Sequence, residues 1–300
     1  MLKFKLKTKG KGLVKKTLGK VKKSVYAVQE LEAQFQMLHH KVKKFRPHVE
    51  FEFEKGNYIV QTARNGHDLE ECLRLRFEVF HREMLKSKRR IGVDIDKIDF
   101  LCDHLIIREK RTGKVIGTYR MNCSRFTDVL YSAGEFDLSK VVKLPGVILE
   151  LGRACINREH RTGPVMSLLW RGISEYISHT QSEYLIGCTS VKTFDLFEAA
   201  SAYKYLQDKG HLNLGFDVHP IGKFKSPSFN RVLQTIEKSD HPFDYEEAKK
   251  ILPPLLFLYI KAGAKICGEP AFDEDFSCID FFTLLPVKEV TGQVSRKYNI

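Results

Sequence analysis

The chain has 300 residues, of which 43% are hydrophobic and 29% are charged, and its mean hydropathy is −0.28. This balance excludes a disordered chain, a collagen-like chain and a polytopic membrane protein, and the length suits one large domain with or without an appendage. Residues 1–50 hold fourteen basic and three acidic side chains, a net charge of +11, whereas the other 250 residues carry only +2. The basicity therefore belongs to an N-terminal arm.

The seven cysteines are too widely spaced for a metal motif, because no CxxC or CxxH spacing occurs. At the start of the chain every second residue from Lys3 to Lys11 is a lysine, and this segment contains no apolar stretch of signal-peptide length. The longest uncharged apolar stretch near a terminus, 251–260, is about half of the ~20 residues that span a bilayer. We therefore expect reduced thiols, no bound metal and a cytoplasmic protein, with peripheral attachment at the inner membrane face left open.

Apolar residues recur at steps of three and four from Val14 to Val42, which predicts one apolar stripe on a basic helix within residues 1–50. Such a helix packs on protein, lies on anionic lipid or binds nucleic acid, and its charge does not separate these alternatives. Basic charge alone reads no bases, so we do not expect a nucleic-acid partner. The membrane partner we expect is an anionic surface contacted through residues 1–45.

The rest of the chain alternates predicted strands and helices. Strands are predicted at 57–63, 104–108, 115–122, 147–157, 184–189, 216–220 and 279–287. Helices are predicted at 67–84, after 163 through Trp170 and Tyr176, at 195–209 and, interrupted by proline, at 245–262. Strands 104–108 and 115–122 form a hairpin around the turn at Thr112 and Gly113. This order predicts a mixed α/β domain over residues 57–290.

Charged residues are densest between positions 74 and 153. Arg76 and Phe80 are four apart and share a helix face, and Asp94, Asp96 and Asp99 follow on a loop. The aspartate run invites a calcium interpretation, but it lacks the glycine and the distal glutamate of a calcium loop. We expect no metal there.

Glu150 and Arg153 lie in an otherwise apolar strand, where a carboxylate is paired or becomes neutral. Strict alternation would place the two side chains on opposite faces. A bulge at Gly152 would bring them together and would splay the strand from its neighbour. A buried ion pair of purely structural value is the alternative.

Several of these segments, in order, resemble the GNAT-type N-acyltransferases that depend on acyl carrier protein and make lyso-ornithine lipid. They are Arg-Phe-Glu-Val-Phe (76–80), Asp-Ile-Asp-Lys-Ile-Asp-Phe (94–100), Gly-Thr-Tyr-Arg (117–120), Glu-Phe-Asp-Leu (135–138) and Glu-Leu-Gly-Arg-Ala-Cys (150–155). The resemblance covers roughly residues 57–287. The chain is also similar to acyl-homoserine-lactone synthases, but their tryptophan after the first helix is absent, since the sole tryptophan is Trp170.

The resemblance implies a GNAT-like, mainly antiparallel mixed sheet flanked by helices, with splayed central strands. It also implies transfer of a long-chain (3-hydroxy)acyl group from the 4′-phosphopantetheine of acyl carrier protein to an amino-acid amine, with ornithine the expected acceptor and no cofactor of the enzyme's own. The alternative enzymatic activity is that of an acyl-homoserine-lactone synthase-like signal synthase. A non-catalytic basic protein that binds membrane or nucleic acid is the alternative of another class.

The reaction requires a base, for which Glu150 is the candidate. Backbone N–H groups near Cys155 and Ile156 would polarise the thioester, and Cys188 or Ser190 would protonate the leaving thiolate. The residues expected to hold the pantetheine phosphate are Arg161, Thr162 and Gly163. Those expected to bind or position the acceptor are Arg76, Asp96, Asp99, Arg120 and Arg153. The rings expected to line an acyl tunnel, although such rings are more often ordinary core, are Phe77, Phe80, Phe100, Phe126 and Phe136.

Overall fold

The computed structural model describes residues 40–86, 92–161 and 163–290, together with 292, 294 and 296. Most of the predicted arm helix and Thr162 lie outside the described residues. The described end of the arm packs on the domain: Val42 and Phe45 are buried, and the backbone N–H groups of His48 and Val49 donate to Asp103 at 2.7 and 3.1 Å. Residues 42–49 are therefore part of the folded domain.

The described residues form strands and helices in alternation. The strands are β1 (Glu52–Lys55), β2 (Tyr58–Thr62), β3 (Asp103–Glu109), β4 (Val115–Cys123), β5 (Phe136–Asp137), β6 (Val147–Ile156), β7 (Ser182–Val191), β8 (His219–Pro220), β9 (Lys265–Ile266), β10 (Ala271–Asp273) and β11 (Cys278–Pro286). The α-helices are α1 (Gly66–Arg76), α2 (Gly163–Thr180), α3 (Leu196–Asp208), α4 (Phe229–Glu237), α5 (Tyr245–Ile251) and α6 (Pro254–Ala262). In the described part of the chain no helix is both long and apolar enough to cross a bilayer.

The main sheet has the order β1-β2-β3-β4-β6-β7-β11-β10, with β9 also paired to β11, and its strands are antiparallel except for the parallel pair β6 and β7. Alternate residues of β3 face opposite layers. Ile106 packs in the cluster that holds Leu69 and Leu73 of α1, whereas Leu105 packs in the cluster that holds Leu169 of α2. The mixed, mainly antiparallel α/β architecture is confirmed.

The central strands part in the middle of the sheet. The parallel register of β6 and β7 ends at Glu150 opposite Ile186, although β7 continues to pair with β11 as far as Val191. The register of β4 and β6 shifts between Thr118 and Arg120, and Arg153 has a left-handed φ of 52°. The predicted splay is confirmed, with the left-handed residue at Arg153 rather than Gly152.

Three elements differ from the sequence expectation. The edge strand β1 has mostly exposed, charged residues, so the apolar alternation that marks a strand is missing. The predicted helix 67–84 is α-helical only to Arg76 and continues as a π-helical segment, Phe77–Met84. The proline-interrupted helix is two helices, because Pro253 precedes α6 and Pro254 occupies its first turn.

A glycine is required where the two central strands begin to part. A Cβ added to Gly187 would lie 2.3 Å from the carbonyl oxygen of Leu151, a backbone atom that cannot move aside cheaply. We expect Gly187→Ala to lower the free energy of unfolding by about 1–3 kcal/mol in urea denaturation. Gly134→Ala, where an added Cβ has open space, is the matched control and is expected to change it by less than about 0.5 kcal/mol. Equal stability of both variants would contradict this packing.

Candidate active site

A cleft of about 400 Å³ opens where β6 separates from β7. Its polar wall comprises Arg120, Tyr131, Ser132, Glu135, Glu150, Arg153, Cys188, Thr189, Ser190, Lys192, Asp273, Ser277, Cys278 and Asp280. Its apolar wall includes Phe80, Met84, Leu85, Tyr119, Leu151, Pro253, Leu255, Tyr259 and Phe276. The cleft therefore joins a charged region to an apolar one across the gap in the sheet.

A buried network of arginines and aspartates lies behind the polar wall. Arg76 binds Asp99 through two nitrogens, at 2.6 and 3.2 Å, and contacts Asp94 at 2.7 Å. Arg120 donates to Asp96 at 2.6 Å and to Asp99 at 3.2 Å. Burial is the largest influence on Asp94 and Asp99 and disfavours their ionisation, but the surrounding positive groups, Arg76 first among them, together outweigh it and hold the pKa of both carboxyls below the usual range. The charged pairs fix the loop 94–99 against α1 and β4.

Arg153 is bound more loosely than the other two arginines. Its guanidinium lies over the rings of Phe80, Tyr131 and Phe276, with centroid distances of 5.9, 5.4 and 5.2 Å. Its nearest carboxylate oxygen, on Asp96, is 3.4 Å away, and its Nε has no hydrogen-bond partner in the described structure. The left-handed backbone at Arg153 thus places a cation beside the cleft with donor capacity to spare.

Glu150 is buried, with 3% exposure, and its carboxylate accepts four hydrogen bonds. One oxygen accepts from the Ser132 backbone N–H and hydroxyl at 2.7 and 2.6 Å. The other accepts from the Tyr131 N–H at 2.7 Å and the Asn122 amide at 2.9 Å. The predicted pairing of Glu150 with Arg153 is wrong, because Arg153 turns towards Asp94 and Asp96. Glu150 instead anchors the loop at 131–132.

A second group of carboxylates faces the same cleft. Glu135, Asp273 and Asp280 are 3%, 5% and 3% exposed, and within the described ranges no Lys, Arg or His forms an ion pair with them. Burial, and then the charge of Asp280, raise the pKa of Glu135; burial likewise raises that of Asp280. The sequence showed Glu135 only as part of a resemblance motif, and it showed no role for the two aspartates.

Cys188 and Ser190 lie on β7 at the edge of this carboxylate group. The Cys188 thiol donates towards Ser132 Oγ at 3.2 Å and towards Glu135 at 3.4 Å, and burial raises its pKa well above the usual value. The Ser190 hydroxyl donates to Asp280 at 2.6 Å. Both side chains line the cleft, so the structure brings them to the polar wall with Glu150.

Comparison with known proteins shows what this chain is similar to. Residues 75–171 match a model described as an acetyltransferase (GNAT) domain. Relatives named L-ornithine N(alpha)-acyltransferase occur in Brucella abortus (strain 2308), 26% identical over 81% of this chain and 89% of the relative, and in Agrobacterium fabrum (strain C58), 27% identical over 81% and 85%. The protein is an acyltransferase with a GNAT domain.

Among solved structures, this acyltransferase is similar in fold to the acyl-homoserine-lactone synthase LasI. The TM-score is 0.44 at 13% identity, and the match covers 81% of this chain and 95% of that one.

The structure separates the predicted acceptor-binding residues into two sets. Arg120 and Arg153 line the cleft of the acyltransferase, whereas Arg76, Asp96 and Asp99 lie behind it. Asp99 has no exposed surface and is held by two arginines, so a direct contact with an acceptor is wrong for this residue. The geometry of these three favours a positioning role.

Of the five rings expected along the acyl tunnel, Phe80 lines the cleft. Phe77 and Phe136 are buried elsewhere, and Phe100 packs beside α1 beneath Lys41. Phe126 is 38% exposed and stacks on His48. These four are core or surface rings, and the tunnel expectation is wrong for them. The apolar wall comes instead mainly from the π-helical segment and from residues 253–276.

The predicted phosphate-binding turn lies at the start of α2. Arg161 donates to the Ile156 carbonyl at 3.0 Å and to Glu83 at 2.6 Å, and a Cβ added to Gly163 would have open space. Cys155 and Ile156 are buried in β6, beyond the point where its pairing with β7 ends. Thr162 lies outside the described residues. These positions stay a prediction.

One group in the described residues has metal-ligand spacing: Asp273, Cys278 and Asp280, with ligand atoms within 4.8 Å of one another. Asp280 accepts hydrogen bonds from Ser190 and Cys278, and Asp273 accepts from the backbone N–H groups of Asp275 and Phe276. These bonds are those of a hydrogen-bonded polar cluster, and we assign no metal to it.

The buried arginine network predicts a large stability difference between two arginines on one helix. Arg76→Met leaves Asp99 and Asp94 buried without their main partner, and we expect a loss of about 3–5 kcal/mol in urea denaturation at pH 7. Arg74→Met, which removes an exposed pair with Glu70, is the control and is expected to cost less than about 1 kcal/mol.

The same pair of variants has a pH signature. The folded-state pKa of Asp99 lies below its unfolded value, so the stability it contributes is present above about pH 4 and is lost as the pH falls. The difference in the free energy of unfolding between wild type and Arg76→Met should become smaller as the pH falls below about 4. A gap that is constant from pH 7 to pH 3 would contradict this account.

Proposed function

We propose that this acyltransferase moves a long-chain acyl group from the phosphopantetheine arm of acyl carrier protein to the α-amine of ornithine, forming a lyso-ornithine lipid. The observation that carries the proposal is the match to relatives named L-ornithine N(alpha)-acyltransferase over 81% of the chain, since it extends well beyond the GNAT segment 75–171. An acid-rich wall and an apolar wall suit an amine and a fatty acyl group, respectively.

The donor enters, in this proposal, through the gap between β6 and β7. Backbone groups of β6 beyond Glu150 no longer pair with β7, and unpaired strand edges bind extended chains by backbone hydrogen bonds. The pantetheine amides would bind there, with N–H groups near Cys155 and Ile156 polarising the thioester. The phosphate would lie at Arg161 and Gly163, where α2 begins.

The acceptor enters on the polar wall. Ornithine carries two ammonium groups and one carboxylate at neutral pH, so its net charge is opposite to that of the unpaired acids Glu135, Asp273 and Asp280. Arg153, with unused donors, is placed to bind the carboxylate. The acyl chain lies along the apolar wall, where each buried methylene contributes ~0.8 kcal/mol.

The proposal is tested with purified protein, long-chain acyl carrier protein and ornithine, with the product identified by mass spectrometry. We expect an N-acylornithine, and at least a tenfold lower rate with glycine, which lacks the second ammonium. Acyl-coenzyme A replaces the carrier in one control. Product from S-adenosylmethionine in place of ornithine would favour the lactone-synthase alternative, and no amide with any amino acid would overturn the proposal.

We further propose that the arm binds anionic membrane. Residues 1–39 hold ten lysines and two glutamates, and each lysine near an anionic surface contributes about 1 kcal/mol. Deletion of residues 1–39, which leaves the packed residues from Val42 onward in place, should abolish sedimentation with phosphatidylglycerol vesicles while the enzyme stays active on soluble substrates. Phosphatidylcholine vesicles are the control. Unchanged sedimentation of the shortened protein would remove this part of the proposal.

A further inference from the structure

Amide formation from an ammonium requires proton transfers that the cleft must supply. This inference rests on the proposed function. The nitrogen attacks the thioester carbonyl carbon, a C–N bond forms and the C–S bond breaks. The nitrogen gives up two protons, one as the ammonium becomes a free amine and one as the amine becomes an amide; the departing thiolate takes up one proton, and the other is released to solvent. The acid that accepts the first proton must reach the amine with a free lone pair.

Glu150, the acid expected from the sequence, has no lone pair to spare. Its two oxygens present about four acceptor positions, and four N–H or O–H donors from Asn122, Tyr131 and Ser132 already occupy them. A substrate N–H could reach either oxygen only by displacing one of these four donors. The hydrogen bonds of the Glu150 carboxylate therefore serve to hold the loop at residues 131–132.

Glu135 faces the same cleft but accepts fewer hydrogen bonds than Glu150. Its carboxylate is 3% exposed and contacts the Cys188 thiol at 3.4 Å and the Tyr131 hydroxyl. Asp280 on β11 and Asp273 on β10 add negative charge, and the cations that line the same cleft are Arg153, which acts on Asp280, together with Arg120 and Lys192. With fewer donors and no ion pair in the described structure, Glu135 keeps acceptor capacity directed to the cleft.

We propose that Glu135 is the catalytic residue that accepts the proton from the attacking amine, and that Glu150 is a positioning residue which holds the loop carrying Ser132. Cys188 completes the transfer: its thiol gives a proton to the leaving thiolate and recovers one from Glu135 across the 3.4 Å contact. Glu135 accepts two nitrogen protons in turn: the first, from the ammonium, passes to solvent as the free amine forms, and the second, lost as the amide forms, resides at the end on the released pantetheine thiol. Protons balance, and no oxidant, reductant or metal takes part.

The electrostatics of the cleft are consistent with this assignment. Burial and the neighbouring Asp280 raise the pKa of Glu135 to about 8, which brings the acid closer to an amine in basicity. The Cys188 pKa, raised well above its usual value by burial and then by Glu135, keeps the thiol protonated at rest, and the proton that arrives from Glu135 replaces the one it gives up. An arriving ammonium offsets the repulsion between Glu135 and Asp280, so ionisation of the acid is coupled to acceptor binding.

The experiment compares Glu135→Gln with Glu150→Gln in the full-length protein, with acyl carrier protein and ornithine as substrates, from pH 6.5 to 9.5. We expect Glu135→Gln to lower kcat about 10²–10⁴-fold at pH 7, a larger factor than the rise in the KM for ornithine that follows from removing one acid of the wall. The loss of kcat in Glu135→Gln relative to wild type should become smaller as pH rises, since the fraction of free ornithine amine grows tenfold per pH unit below the pKa of the amine. Glu150→Gln should lose stability and activity by a factor that does not depend on pH.

A pH-dependent deficit in Glu150→Gln and not in Glu135→Gln would overturn the assignment, as would full activity of Glu135→Gln. If Glu135→Gln does not fold, Asp280→Asn provides the second measurement. Removal of the neighbouring charge lowers the pKa of Glu135, so the acidic limb of kcat/KM against pH should move to lower pH. A limb that stays in place contradicts the proposal. Wild-type protein that makes no acylornithine would refute the proposed function itself, a result distinct from either variant outcome.

Discussion

The end of the parallel pairing between β6 and β7 is the constraint on which the cleft depends. Up to Glu150 the two strands pair, with one register shift between Val147 and Ile148; after Glu150 the pairing ends, β6 contains the left-handed residue Arg153, and β7 stays with β11. A left-handed conformation at a non-glycine residue is disfavoured, and it persists where the surroundings fix it. Here the Arg153 side chain has carboxylates on one side and three aromatic rings on the other.

The charged residues of the cleft form two groups, one behind its polar wall and one on the wall itself. Behind the wall, arginines and aspartates satisfy one another in a network centred on Asp99. On the wall itself, Glu135, Asp273 and Asp280 have no such partners in the described ranges. A buried charge without a partner is costly, so the deeper network contributes rigidity and the outer group provides a favourable location for a cation. The two sets lie next to each other in space but have different physical roles.

Much of this architecture follows from local sequence pattern. The strands β2, β3, β4, β6 and β7, including the hairpin of β3 and β4 and the apolar strand around Glu150, all carry clear periodicity. The edge strand β1, the two-residue strand β5 and the helix α4 are not among the predicted elements. Charged side chains mask β1, and α4 repeats apolar residues at steps of four and three over only nine residues, which is a weak signal. Asp273 and Asp280 could not be found from spacing, since their proximity to Glu135 is created by the pairing of β10, β11 and β7.

The match to the GNAT domain ends at residue 171, yet the cleft continues to be built well beyond it. The earlier segment contributes the arginines and Glu150; the later one contributes Cys188, Asp280 and the apolar surface around Leu255 and Tyr259. Tyr119 and Tyr259 join the two through their hydroxyl groups. The cleft is therefore built from both parts of the chain, so exchanging the part after residue 171 between homologues would change one portion of its lining while the GNAT segment stays the same.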